Sequence, residues 1–224
     1  NRAKAEGKTV IHLNIGQPDI ATPEIALSEL RADTRTVVEY SPSEGYASYR
    51  DGLSKYYCSV GIDVSSDEVV VTTGGSEALV FGFMSCMDPG DEVILFEPYY
   101  DSYMATIQMV GAKAKPVTLR GPNFGLPIEE LEEAFSEKTK LVVLNSPHNP
   151  TGKVFSKEEL LLLSEMVIKH DAFVISDEVY EFLTFDHHQH IPISSLPGMR
   201  ERTIMISSAG KTFSFTGWKV GWCL

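Results

Sequence analysis

The chain has 224 residues, 43% hydrophobic and 22% charged, which is an ordinary globular composition and enough for one large domain, or one domain plus a small attachment. Its formal net charge of -12 argues against nucleic acid as the main partner, and no apolar run is long enough to cross a bilayer. Cys58, Cys86 and Cys223 are scattered, odd in number and without a C-x-x-C, so they read as reduced thiols of a cytoplasmic protein.

Residues 1–24 read as an arm: a charged start, an apolar run over 10–15, then the loop Gly16-Gln17-Pro18-Asp19. Residues 39–50 make a turn into a helix around 47–59. From there the pattern alternates. Strands are expected over 69–73, 93–96, 114–119, 141–145, 173–176 and 203–207, the third of them interrupted by Pro116. Helices are expected over 76–87, 99–110, 127–135 and 157–170, the last opened by a Ser156/Glu159 capping box. Residues 221–224 are apolar and strand-like with no turn behind them, which reads as a piece of a longer protein. Strands alternating with helices predict an α/β fold, a mostly parallel sheet covered on both faces.

Such sheets bind ligands at the carboxyl ends of their strands, so those ends carry the chemistry. Gly74-Gly75-Ser76 joins a strand to a helix, and reads either as an amide cradle for phosphate or as a tight turn with a serine cap. Tyr100 suits stacking on a flat heterocycle or packing in a core. Asn149, in Asn-Pro-Thr-Gly, is either a donor to a phenolate or carboxylate or a plain turn residue. Asp177 ends an apolar strand, where an unpaired carboxylate is costly. A protonated pyridine nitrogen would partner it, with Tyr180 donating to the ring oxygen beside; capping a following helix is the other reading.

Lys211 lies in Ser207-Ser208-Ala209-Gly210-Lys211-Thr212, with Lys219 eight residues on. Small neighbours leave its amine open to a carbonyl cofactor. Ser208-x-x-Lys211 lacks the companion motifs of penicillin-binding enzymes, and Gly210-Lys211-Thr212 lacks the upstream glycine of a P-loop, position 205 being Met. Asp186-His187-His188-Gln189-His190 reads as a solvated loop and no metal site is expected; His12, His148 and His170 look unremarkable.

Taken together, 145–152 (Asn-Ser-Pro-His-Asn-Pro-Thr-Gly), 176–180 (Ser-Asp-Glu-Val-Tyr) and 208–214 (Ser-Ala-Gly-Lys-Thr-Phe-Ser) resemble class I/II aminotransferases of fold type I, which use pyridoxal 5'-phosphate. The resemblance runs from Asn14-Ile15-Gly16 to Gly217–Gly221. Residues 145–222 look like kynurenine/glutamine aminotransferases, and 14–110 more like bacterial aspartate aminotransferases. It implies an arm with part of the small domain over 1–40 and the cofactor-binding large domain over 41–224. It also implies that the family continues past 224, into most of the small domain and the arginine that clamps the substrate carboxylate.

By the same resemblance Lys211 would attach the cofactor as a Schiff base and Asp177 would hold its pyridine nitrogen. Tyr180 and Asn149 would bind the ring oxygen, with Asn149 also touching the substrate carboxylate, and Tyr100 would stack on the ring. Gly75, Ser76, Ser208 and Lys219 would hold the phosphate. Tyr40 would reach the phosphate of the partner subunit in a homodimer, and Gly16 would line the substrate pocket. Lys219 stands where the aspartate type usually has arginine, which keeps the charge and loses the bidentate fork. The implied reaction moves an amino group from an amino acid to a 2-oxo acid with Lys211 as general base. A cysteine-conjugate β-lyase would use the same residues, and an aminotransferase-like sensor domain or inactive fragment would need none of the chemistry.

Overall fold

A computed structural model describes residues 2–11 and 16–224. His12, Asn14 and Ile15, with most of the apolar run expected over 10–15, lie outside them. In chain order the helices are α1 (Arg2–Ala5), α2 (Glu24–Ala32), α3 (Ala47–Ser59), α4 (Gly74–Cys86), α5 (Asp101–Met109), α6 (Ile128–Ala134), α7 (Lys157–Lys169) and α8 (Ala209–Thr212). The strands are β1 (Val70–Thr73), β2 (Glu92–Glu97), β3 (Lys113–Thr118), β4 (Thr139–Asn145), β5 (Phe173–Asp177), β6 (Thr203–Ser208) and β7 (Val220–Cys223).

They form one sheet in the order β1-β7-β6-β5-β4-β2-β3. Neighbours from β3 to β6 pair in parallel, while β7 runs antiparallel between β6 and β1. The central strands are apolar on both sides because both faces are covered. Ile94, Phe96, Val142, Leu144 and Val174 pack with Leu131 of α6 and Leu160 and Leu163 of α7. Val93, Leu95, Leu141, Val143, Ile175 and Ile206 face α4 and α5 through Ala78, Leu79, Phe83, Tyr103 and Ile107. Alternation along each strand therefore sends successive side chains into two separate cores.

Local rules explain the best-placed elements. Ser156 Oγ accepts from the Glu159 amide and Glu159 Oε2 accepts from the Ser156 amide, so the expected capping box opens α7. Pro116 does not break its strand. It sits in β3, the edge of the sheet, where only one side of the ladder needs a donor. Two features depart from the sequence reading. The arm and its sequel contain helices, α1 and α2. The last strand, β7, enters the sheet antiparallel between two strands that lie far apart in the chain.

Among the described residues no helix is long and apolar enough to cross a membrane.

Candidate active site

Because β2 to β6 run in parallel, their carboxyl ends open on one side, and the expected strand-end residues meet there. The cleft they line has a volume of about 580 Å³, within the range that holds a cofactor-sized molecule. Gly16, Gly75, Ser76, Tyr100, Asn149, Asp177, Tyr180, Ser208, Lys211 and Lys219 all line it. Tyr40 does not; it is fully exposed.

One wall is the start of α4. Gly74 has φ +77°, which glycine adopts without strain, and it turns β1 into the helix. The first amides of a helix have no intrahelical acceptor and carry the positive end of its dipole, so Gly74, Gly75 and Ser76 present donors to the cleft. Lys219, in the left-handed conformation at φ 55°, lines the cleft with them, its side chain passing beside Gly74. Behind this corner β7 comes very close. A Cβ on Gly221 would stand 2.3 Å from the Gly74 carbonyl carbon and 2.5 Å from the Gly75 nitrogen.

The floor is the end of β5. Asp177 is only 5% exposed, and burial lifts its carboxyl to about 6 even though Tyr103 and the Val179 amide hold it down. Tyr103 Oη donates to Asp177 Oδ2 at 2.7 Å, and the Val179 amide donates to Oδ1 at 3.3 Å. No helix follows Asp177, so capping does not explain it. Asn145 Nδ2 donates to the Asp177 carbonyl at 2.8 Å, and Asn145 Oδ1 accepts from the Asn149 amide at 2.7 Å. One buried side chain thus bolts the Asn149 turn to β5. His148 beside it is buried and pushed down to about 4 by that burial, with Nδ1 2.8 Å from Thr151 Oγ1, so it is a neutral strut of the same turn.

The far wall carries the amine. Lys211 Nζ donates to the Gly16 carbonyl at 2.6 Å and stands 5.8 Å from the centre of the Tyr180 ring. Burial first, and then the charge of Lys219, lower its proton affinity, which favours the free amine. Tyr180 is shifted the other way, by burial and then by the Asp177 charge. Tyr100 meets Tyr103 edge to face at 5.6 Å.

Sequence reasoning missed Tyr103 and the bracing role of Asn145. Tyr103 carries a faint signal, since it follows Tyr100 by three residues in the stretch 99–110 expected as one helix. The histidine-rich segment needs a correction. Asp186–Gln189 is exposed, but His190 turns inward, its side chain 8% exposed, and its Nε2 lies 2.8 Å from the buried Glu178 carboxylate.

Asp177 has a pH signature. Its lifted carboxyl keeps a proton that the unfolded chain releases, so it subtracts stability as pH rises from about 4 to about 6. Tyr103→Phe removes the donor to the ionised form. It is expected to cost about 1.5–3 kcal/mol at pH 8 and distinctly less at pH 4. Denaturant unfolding at both pH values checks this; equal losses would mean the hydroxyl does not serve the charge.

A parallel-rich sheet with a lysine, a buried aspartate and a helix N-terminus meeting at its strand ends defines an α/β fold with a cleft suited to a phosphorylated cofactor. The profile described as aminotransferase class I and II matches residues 8–224, and the chain belongs to that family. Members of the family use pyridoxal 5'-phosphate. Among curated proteins the chain is 41% identical over 235 residues to kynurenine–oxoglutarate transaminase 3 of Rattus norvegicus, covering 98% of this chain and 52% of that protein. It is 45% identical over 205 residues to the kynurenine–oxoglutarate transaminase of Dictyostelium discoideum, covering 83% and 47%. Among solved structures it matches a double mutant of Thermus thermophilus aspartate aminotransferase with a TM-score of 0.92 and 33% identity, covering 99% of this chain and 58% of the other. The chain thus spans about half the length of the curated relatives it matches. Both resemblances read from its two halves, kynurenine-type and aspartate-type, recur among these proteins.

Proposed function

We propose that the protein is a pyridoxal-phosphate-dependent aminotransferase that moves an amino group from an amino acid to a 2-oxo acid. The observation that carries this is the meeting, in one cleft, of a deprotonation-prone Lys211, a buried Asp177 and the donor end of α4. The donor set suits the cofactor. Backbone amides of Gly75 and Ser76, the Ser208 hydroxyl and the Lys219 ammonium offer four groups to a phosphate dianion. Asp177 is an anion that a protonated pyridine nitrogen would satisfy, and its burial makes that partner valuable. Tyr180 and Asn149 would donate to the ring oxygen, and the Tyr100 face would cover the ring.

When bound, pyridoxal phosphate supplies an electron sink for the substrate α-carbon. The chain's own work is then proton handling and orientation. Lys211 would be the attachment residue, and its Nζ, when free, would take the proton from the substrate α-carbon and hand it on. Asp177 would hold the proton of the cofactor nitrogen in place. Asn149 and Gly16 bound the space for the substrate carboxylate.

We further assign residues 1–40 to the arm and part of the small domain, and 41–224 to the cofactor domain of a homodimer in which Tyr40 reaches the phosphate held by the partner subunit. Its full exposure here suits that reach. The relatives named above are transaminases, which supports transfer over the eliminating and sensing readings, and two of them name oxoglutarate as an acceptor worth trying first. Steady-state kinetics of the full-length protein test the proposal. Parallel double-reciprocal lines are expected for an amino acid and a 2-oxo acid. Intersecting lines, or ammonia released without any oxo acid, would overturn it.

A further inference from the structure

The end of β5 carries two adjacent carboxylates on opposite faces of the sheet. Ile175 belongs to the core under α4 and α5, and Asp177 follows it with the same parity toward Tyr103. Val174 belongs to the other core, and Ser176 follows that parity. Glu178 joins Ser176: its Oε1 accepts from Ser176 Oγ at 2.8 Å, and its Oε2 lies 2.8 Å from His190 Nε2. Glu178 is 1% exposed, so an unpartnered charge there would be expensive. His190 is the partner, brought back twelve residues later along the chain.

We propose that His190 is a positioning residue for Asp177, acting through Glu178: its charge offsets that of the Glu178 carboxylate, so that Asp177 can stay ionised opposite the cofactor nitrogen. This rests on the reading of Asp177 given under Proposed function.

The surrounding charges agree with it. Asp177 is faced by Tyr103 from α5, by the Val179 amide, and by the charge of Glu178, which pushes it toward its protonated form. Tyr180 lies beside the same group, its hydroxyl pushed upward by burial and by the Asp177 charge. His190 is faced by Glu178 and Glu181. Burial works against its proton, but the hydrogen bond and charge of Glu178 and the charge of Glu181 more than compensate, and its proton affinity is raised. Glu181, held at about 7 mainly by burial, is faced by Tyr56 Oη of α3 at 3.4 Å. With His190 in place, each oxygen of the buried Glu178 carboxylate has a hydrogen-bond partner, Ser176 Oγ on Oε1 and His190 Nε2 on Oε2. Without it, a like charge sits one residue from Asp177, and like charges raise a carboxyl's pKa.

The experiment is a carboxyl-carbon NMR titration of Asp177 in the cofactor-free, full-length protein, with the resonance assigned by its loss in Asp177→Asn. His190→Phe is expected to raise the midpoint by about half a pH unit or more. Adding Glu178→Gln to His190→Phe is expected to bring it back toward wild type, because the charge leaves with its partner. A merely structural role for His190 would not be rescued in this way. An unmoved midpoint in His190→Phe, or a shift that Glu178→Gln fails to reverse, overturns the proposal. Should His190→Phe not fold, His190→Gln keeps a neutral donor and must still move the midpoint upward; no movement overturns the proposal equally. A wild-type protein that gave no visible band with pyridoxal phosphate would sink the cofactor reading, while the carbon titration, run without cofactor, would still decide the role of His190.

Discussion

Lys211→Ala in the full-length protein is expected to lose all borohydride fixation of pyridoxal phosphate and to lower turnover by at least roughly 10²–10⁴-fold, the usual worth of a positioned acid–base group. Its amine is placed in the cleft both to attach a carbonyl cofactor and to carry the α-proton, and burial and the charge of Lys219 lower its proton affinity. The fold should survive the change. Lys211 is half-buried, and among the described residues its side chain hydrogen-bonds to the Gly16 carbonyl of the arm and not to the sheet. Absorption spectra before and after borohydride, with circular dichroism as control, check both halves. A yellow band that borohydride still fixes in the variant would move the attachment to another lysine, Lys219 being the next to examine.

Gly221→Ala is expected to be the most damaging single methyl in this part of the molecule. Its Cβ would meet three backbone atoms of Gly74 and Gly75 at 2.3, 2.5 and 2.7 Å, and backbone cannot rotate away. Either β7 leaves its register between β1 and β6 or the start of α4 is pushed outward. Overpacking of this kind costs about 1–3 kcal/mol or more. The second route also moves the amides proposed to hold phosphate, so cofactor affinity should fall along with stability. Gly52→Ala is the control: it lies within α3 with nothing within 4 Å of the added methyl, and should if anything stabilise by up to about 1 kcal/mol. Denaturant midpoints and equilibrium binding of pyridoxal phosphate separate the cases. A Gly221→Ala protein with unchanged stability would mean the two segments are not in such close contact.

Much of this architecture was legible before any coordinates. Short β-branched runs alternating with helical stretches define the α/β order, because both periods are local properties of the chain. The capping box of α7 is local too. The strand-end motifs could be listed from sequence because parallel strands must put their carboxyl ends together. Gly75, Ser76, Tyr100, Asn149, Asp177, Tyr180, Ser208, Lys211 and Lys219 accordingly come to one cleft.

What escaped is what depends on strand order and on distance across the fold. Tyr103 meets Asp177 across 74 residues of chain, and nothing near either residue announces the other. Asp186–His190 looks like a polar loop from end to end, yet the burial of Glu178 draws its last histidine inward, since a buried carboxylate must find a partner. Gly221 reads as one small residue in an apolar strand, and only the insertion of β7 beside β1 shows why a side chain has no room there. The sequence by itself determined the elements and the chemistry at their ends, because periodicity, capping and motif spacing are written within a few residues. The tertiary structure alone decided which groups brace that chemistry, because hydrogen bonds and close contacts between distant segments exist only once the sheet has chosen its neighbours.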